Sequence, residues 1–198
     1  MAERSGIDAE LSPQVRAILF DPLSYLHPQR LRLPAALDTP RQRAVVNDML
    51  ISGHRLDNHW PAGPLNSATR QFLRHWPLLP QAAYLIGCQA LRAALGWQGG
   101  LLRLPAWAQD FAAMRLNPPS GIAPSRPVSH NDLLRAGYSR VLAWKPELPS
   151  ALAQRLPLPF PPIVDDAPAA PGAPDTLLLT LALQYAQRHP HVPPADSR

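Results

Sequence analysis

Cysteine, lysine, glutamate and long apolar runs are all scarce in this 198-residue chain, and each scarcity excludes something. Cys88 is the only cysteine, so no intrachain disulfide can form. It lies in an apolar helical stretch with no nearby base in sequence, which predicts a buried, inert thiol. The only glutamates are Glu3, Glu10 and Glu147, and Asp165-Asp166 sits inside a proline-dense segment that would hold a catalytic pair poorly. The ten glycines rule out collagen, and none forms a phosphate-cradling or dinucleotide-binding loop. The longest apolar stretches, 78–95 and 176–186, are interrupted by Gln81, Gln89 and Arg92 or are too short for a span of ~20 residues. Residues 1–13 carry Glu3, Asp8 and Glu10 without an apolar core, so neither a signal nor a transit peptide is expected. A cytoplasmic location follows as the expectation, with no direct membrane insertion.

Proline and arginine are what the chain has in excess. Proline occurs 26 times, well above the usual ~5%. Each one fixes φ and removes a donor, which disfavours long helices and central strands. Of the 19 lysines and arginines, 18 are arginines and Lys145 is the one lysine, and the formal net charge is +5. Arg30, Arg32, Arg41 and Arg43 come nearest to a cluster, but apolar residues and Asp38 break it. No basic run or nucleic-acid-reading motif is present, so nucleic acid is not an expected partner.

Helix starts are legible. Ser12-Pro13 and Thr39-Pro40 place a capping hydroxyl before a proline suited to the first helical position. The second pair opens a helix to about Ser52, with Val45, Val46, Met49 and Leu50 on one face and Gly53 as its stop. Ser67 opens a segment through Trp76. Residues 78–96 read as one helix, apolar nearly all round and therefore central to a core. A stripe of Leu104, Trp107, Ala108, Phe111 and Met114 predicts a helix over 104–116. Ser129 and Asp132 form a near-capping box before a helix with Leu133, Leu134, Tyr138, Val141 and Leu142 inward and Arg135, Ser139 and Arg140 outward. A short helix is expected over 149–156, and Asp175 caps a last one.

Residues 117–128 and 157–174 read as irregular. The second is expected to be an extended or mobile arm, with 156–160 also suiting a short edge strand. The predicted architecture is all-α: a single compact bundle of about seven or eight short helices over 1–160. The arm at 157–174, a C-terminal helix over 175–189 packing on the body, and a disordered tail over 190–198 complete it.

Little here carries chemistry. His54, Asp57 and His59 are the only compact metal-capable group, but two histidines five apart do not share a helix face, so solvated loop residues are expected. Capping accounts for Ser129 and Asp132 without a catalytic role. No catalytic residue, cofactor or metal is therefore assigned. Among the five tryptophans, Trp60, Trp76 and Trp97 lie beside Pro or Gly at element ends, where half-exposure is expected. Tryptophan and arginine dominate interface hot spots. Trp60, Trp97, Arg135 and Arg140 are accordingly the candidate partner-binding residues.

Three stretches carry a family resemblance. "FDPLSYLHP" (20–28) supplies Pro22, Tyr25 and His27; "LIGCQALRAAL" (85–95) supplies Gly87, Ala90, Leu91 and Arg92; and 136–161 leads from a glycine-containing helix through a proline break to Arg155, Leu156 and Leu158. In order and spacing the chain resembles the SctK/YscK group, cytoplasmic accessory proteins of the type III secretion sorting platform. The resemblance implies a non-enzymatic adaptor at the inner face of the inner membrane. It would bridge the cytoplasmic domain of the inner-membrane ring protein to the pod protein that carries the ATPase complex. A helical chaperone-like or regulatory module for one secreted client is the alternative.

Overall fold

The computed structural model describes residues 11–114, 116 and 126–196. Among these it is all-helical, without strands. The α-helices are α1 (Pro13–Phe20), α2 (Pro40–Gly53), α3 (Ser67–Arg74), α4 (Leu79–Ala90), α5 (Arg92–Leu95), α6 (Ala106–Ala113), α7 (His130–Leu142), α8 (Ser150–Arg155) and α9 (Thr176–Arg188). Contacts gather in two units, a finer division than the single 1–160 body expected from the sequence. One comprises the described residues of Met1–Trp76 with Pro146–Pro162, the other those of Pro77–Lys145 with Ile163–Arg198. Most of the irregular stretch expected at 117–128 lies outside the described residues, as do the first ten residues and the last two.

In the first unit, local chemistry sets where helices begin. The Ser12 hydroxyl accepts from Val15 N ahead of Pro13, and Thr39 and Gln42 exchange side-chain and backbone bonds in a full capping box. α3 begins one residue away from expectation in its cap: Asn66 accepts from Thr69 N at 2.7 Å, and Ser67 is already helical. α2 is rotated from the expected orientation, which leaves Val46 and Leu50 half-buried and turns the rest of that face outward. Its buried residue is Asn47, while Val45 and Met49 are exposed. Asn47 accepts from Leu23 N at 2.9 Å and donates to Asp21 at 2.7 Å, and those bonds fix which face turns inward. Trp76, expected half-exposed, is 2% exposed, because Tyr25 meets its ring edge-on at 5.5 Å.

The second unit is built around α4, whose residues from Leu79 to Gln89 are almost all buried. The single helix expected over 78–96 is two. Leu91 leaves helical geometry at φ −104°, ψ 20°, and α5 restarts after it. α7 crosses α4 at two glycines. A Cβ on Gly87 would fall 1.8 Å from Leu133 O, and one on Gly137 would fall 1.6 Å from Ala83 O. Only hydrogen at both positions permits backbones this close. Gly99, in the turn between α5 and α6, takes φ +68°, in the region that favours glycine. α6 is shorter than its stripe, since Met114 is extended.

The proline-dense stretch is held down along much of its length. In the first unit, Leu158 and Phe160 are buried, and turn bonds from Leu158 N to Arg155 O and from Phe160 N to Pro157 O replace the suggested edge strand. In the second, Val164 and Ala167 are buried. The Ser139 hydroxyl donates to Pro168 O, and Ala170 N donates to Ser139 O at 2.8 Å, so Ser139 anchors this segment instead of facing water. The tail expected to be disordered after 189 is also held. His191 stacks on Trp107 at 5.1 Å and donates its N–H to Gln81 Oε1, whose amide donates in turn to His189 O.

Candidate docking surfaces and the buried arginine

Arg155 is the largest polar side chain in the core of the first unit, and it is fully buried. Burying a charge without partners is expensive, so each donor matters. Its guanidinium donates to Asp57 O at 2.6 Å, Ala151 O at 2.8 Å, Leu19 O at 2.8 Å and Asn58 Oδ1 at 2.6 Å. Only Nε is without a partner. Leu19 O belongs to the last turn of α1, where carbonyls lack helical donors and the dipole favours a cation. Arg155 thus ties α1, α8 and the 57–58 loop together through neutral acceptors. Burial pulls its pKa down from the usual arginine value. Burial likewise pushes the Tyr25 phenol well up, with Arg155 opposing, and the Tyr25 hydroxyl donates to Ile18 O at 2.7 Å.

The stretches that carry the resemblance meet at these packing points. His27 N donates to Leu158 O at 2.9 Å and Arg30 Nε to Phe160 O at 2.7 Å, joining 20–30 to 155–160 within the first unit. Gly87 and Gly137 join 85–95 to α7 within the second. The recognisable residues are therefore those that set the fold. The sequence motif that contains Arg155 gives it no role. The signal for its role was its position: a lone arginine in the apolar run from Ala151 to Phe160.

The four candidate docking residues are divided between the two units. Trp60 is half-buried and belongs to the first unit; Trp97, Arg135 and Arg140 belong to the second. Trp97 is 41% exposed, and Leu102, in the same 3-10 segment (Trp97–Arg103), is 80% exposed. Arg135 is half-buried and Arg140 exposed. Arg140 lines an open cleft together with Val141, Trp144, Pro171 and Leu178. Val45 and Met49, exposed on α2, escaped sequence reasoning. The signal against their burial was Asn47 between them.

The residues of catalytic type are occupied structurally. Ser129 and Asp132 make a reciprocal capping box on α7, and Arg126 donates to both Asp132 oxygens at 2.7 Å. Partial burial raises the Asp132 pKa, but the bonds from Arg126 and Ser129 together outweigh it and leave it below the usual value. Asp57 accepts from His59 N at 2.8 Å, and no three metal-capable side chains converge among the described residues. Burial pushes the Cys88 thiol up to about 12.

The fold among the described residues thus defines an all-helical protein in which Ser129 and Asp132 cap a helix and Arg155 is held in the core. Residues 15–188 match the family described as bacterial type III secretion apparatus protein (OrgA_MxiK). The oxygen-regulated invasion protein OrgA of Salmonella typhimurium is 45% identical over 179 residues, covering 90% of this chain and 89% of that protein. Protein MxiK of Shigella flexneri is 28% identical over 180 residues, covering 87% and 88%. No solved structure matches the chain. The chain belongs to the OrgA/MxiK family of type III secretion apparatus proteins, the family its three stretches resemble.

Proposed function

We propose that this protein is a non-enzymatic adaptor of the type III secretion sorting platform. It links the cytoplasmic domain of the inner-membrane ring protein to the pod protein that carries the ATPase complex, and it is held at the inner face of the membrane through those contacts. Family membership across residues 15–188 carries this reading. Two further features support it. The chain has two separately packed units, which suits two partners. Its exposed Trp97, Leu102 and Arg140 are residue types that anchor or steer interfaces.

The test is reconstitution from purified components. The full chain should retain the ring protein's cytoplasmic domain and the pod protein, and should join them in a ternary complex that neither forms without it. Retention of neither sinks the reading; retention of one secreted client alone replaces it with a chaperone. Trp97→Ala should weaken one partner by about tenfold if Trp97 is an anchor. Arg140→Ala should act mainly through the association rate and its salt dependence.

A further inference from the structure

The C-terminal tail lies in a track on the second unit that holds its main chain as a ligand is held. α9 ends at Arg188, and residues 189–196 continue from it in neither helix nor strand. Contacts of three kinds fasten them. Gln81, near the start of α4 and 2% exposed, turns its amide to the tail backbone: Nε2 donates to His189 O at 2.6 Å, and Oε1 accepts from His191 N at 2.9 Å. The His191 ring stacks on Trp107 of α6, with centroids 5.1 Å apart and planes 15° apart. Asp196 accepts from His130 N and Asn131 N at the start of α7.

Each contact recognises a different property. A glutamine amide supplies one donor and one acceptor group, and here they grip a carbonyl and an N–H on either side of Pro190. Every residue but proline carries those backbone groups, so the clasp reads main chain and not sequence. The indole face takes a flat ring. The opening N–H groups of α7 take a carboxylate. The track therefore selects a segment with a ring at the clasp and an acidic residue five positions on, as in His191 and Asp196.

Its present occupant is held by polar contacts and one ring. None of residues 189–196 is buried, and Val192 is 88% exposed. The tail thus lacks the apolar burial that dominates stable association. A segment that makes the same backbone and carboxylate bonds and also buries an apolar side chain would displace it. The tail of a second copy offers the same contacts and nothing more, and it must compete with a tethered one present at high effective concentration.

We propose that this track is a docking site for an extended, acidic segment of a partner protein, and that the chain's own tail occludes it until that segment takes its place. The proposal rests on the adaptor reading and gives one of its two partners a site on the second unit.

Calorimetric titration of the full-length protein with the ring protein's cytoplasmic domain and, separately, with the pod protein tests it. The double variant His191→Ala/Asp196→Ala should free the track. One partner should then bind about tenfold tighter than it binds the wild type, the gain expected when a tail docked about nine-tenths of the time is released. The other partner should bind unchanged. Adding Gln81→Leu keeps the side-chain size, removes both clasp atoms and should cancel the gain. Displacement is read from a tryptophan-quenched dye on Val192→Cys, beside His191 and Trp107; Cys88 is buried and stays unlabelled. The partner that gains should relieve the quenching.

If both partners bind wild type and double variant alike and the dye stays quenched, the tail is a structural fastening; the proposal is wrong and the adaptor reading stands. Weaker binding by the double variant would make the tail itself the docking element and overturn occlusion. Relief of quenching that follows dimerisation in sedimentation would assign the track to a second copy and overturn the proposal. If neither wild type nor double variant binds either partner, both readings fail.

Discussion

The two units hold together in opposite ways. The first is centred on polar groups: a buried guanidinium donating to four oxygens, and a buried asparagine bonded to a neighbouring turn. The second is centred on a bare approach of two helices, with glycine at each side of the crossing. A polar core specifies its arrangement through partners that must all be present. A close crossing specifies it through space that must stay empty. Removing atoms should therefore break the first unit, and adding them should break the second.

The largest expected effect comes from adding one methyl group. Gly137→Ala would drive a Cβ to 1.6 Å from Ala83 O, and Gly87→Ala to 1.8 Å from Leu133 O, against backbone that has no flexible end to move. Overpacking of this kind costs about 3 kcal/mol or more. At roughly 2–4 °C per kcal/mol for a chain of this size, the thermal midpoint should fall by at least ~6 °C. Gly53→Ala is the control. Its Cβ meets nothing within 4 Å, and the helix propensity of alanine should leave stability unchanged or slightly raised. Equal effects from all three would show that glycine entropy matters at these sites and the crossing does not.

Next comes removal. Arg155→Met keeps most of the volume but strands buried carbonyls, at about 1–3 kcal/mol for each acceptor left dry. A net loss of ~2–4 kcal/mol by urea denaturation is expected. Arg155→Lys should recover only part, since an ammonium lacks the planar fork that reaches four oxygens on separate elements. An unchanged midpoint for Arg155→Met would mean that the first unit has no polar centre.

Helix starts were legible because capping is local: Ser12, Thr39, Ser129 and Asp175 each bond a backbone N–H three residues on. The signature glycines were legible as residues, but the reason for each lies in the other's helix, far along the chain. The face of α2 was not legible, because Asn47 finds its partners 24 and 26 residues upstream. The break at Leu91 has no glycine or proline beside it to mark it in the sequence. The proline-dense stretch misled in another way. Its composition suggests an extended chain, yet Leu158, Phe160, Val164 and Ala167, spaced among the prolines, are the residues it buries. Of the candidate docking residues, exposure could be anticipated for Trp97 at a helix end. Trp76, in a similar position, is covered by Tyr25 from far away in sequence.

A smaller effect separates the units by pH. Cys88 lies in the second unit, and burial raises its thiol from the usual 9.0 to about 12. An unfolded chain gives up that proton first, so stability should be complete below pH ~9 and decline as pH rises toward the folded value. Cys88→Ala should remove this part of the alkaline slope. In the native protein at about pH 8, a thiol reagent should react only at the rate of unfolding. Fast labelling without denaturant would show that α4 is open in solution.

The smallest expected change lies at the tail, and it tests whether the second unit depends on space alone. Asp196 accepts from His130 N at 2.9 Å and Asn131 N at 3.0 Å, the two α7 donors that the Ser129 box leaves free. Partial burial works against its charge, but those N–H groups, with help from Ser129 and His130, hold its pKa below the usual carboxylate value. The contribution is therefore complete above pH ~3.9 and fades as pH falls through the lower folded value. Asp196→Asn keeps one acceptor oxygen and loses the charge at the helix N-terminus. A loss of about 0.5–1 kcal/mol at pH 7 is expected, shrinking at low pH. Because His191 stacks on Trp107, releasing the tail should also change tryptophan emission. A matching change in His191→Ala, with little loss of stability, would mark the tail as a polar fastening on a unit whose cohesion lies at Gly87 and Gly137. A loss as large as that of Gly137→Ala would erase the contrast between the units.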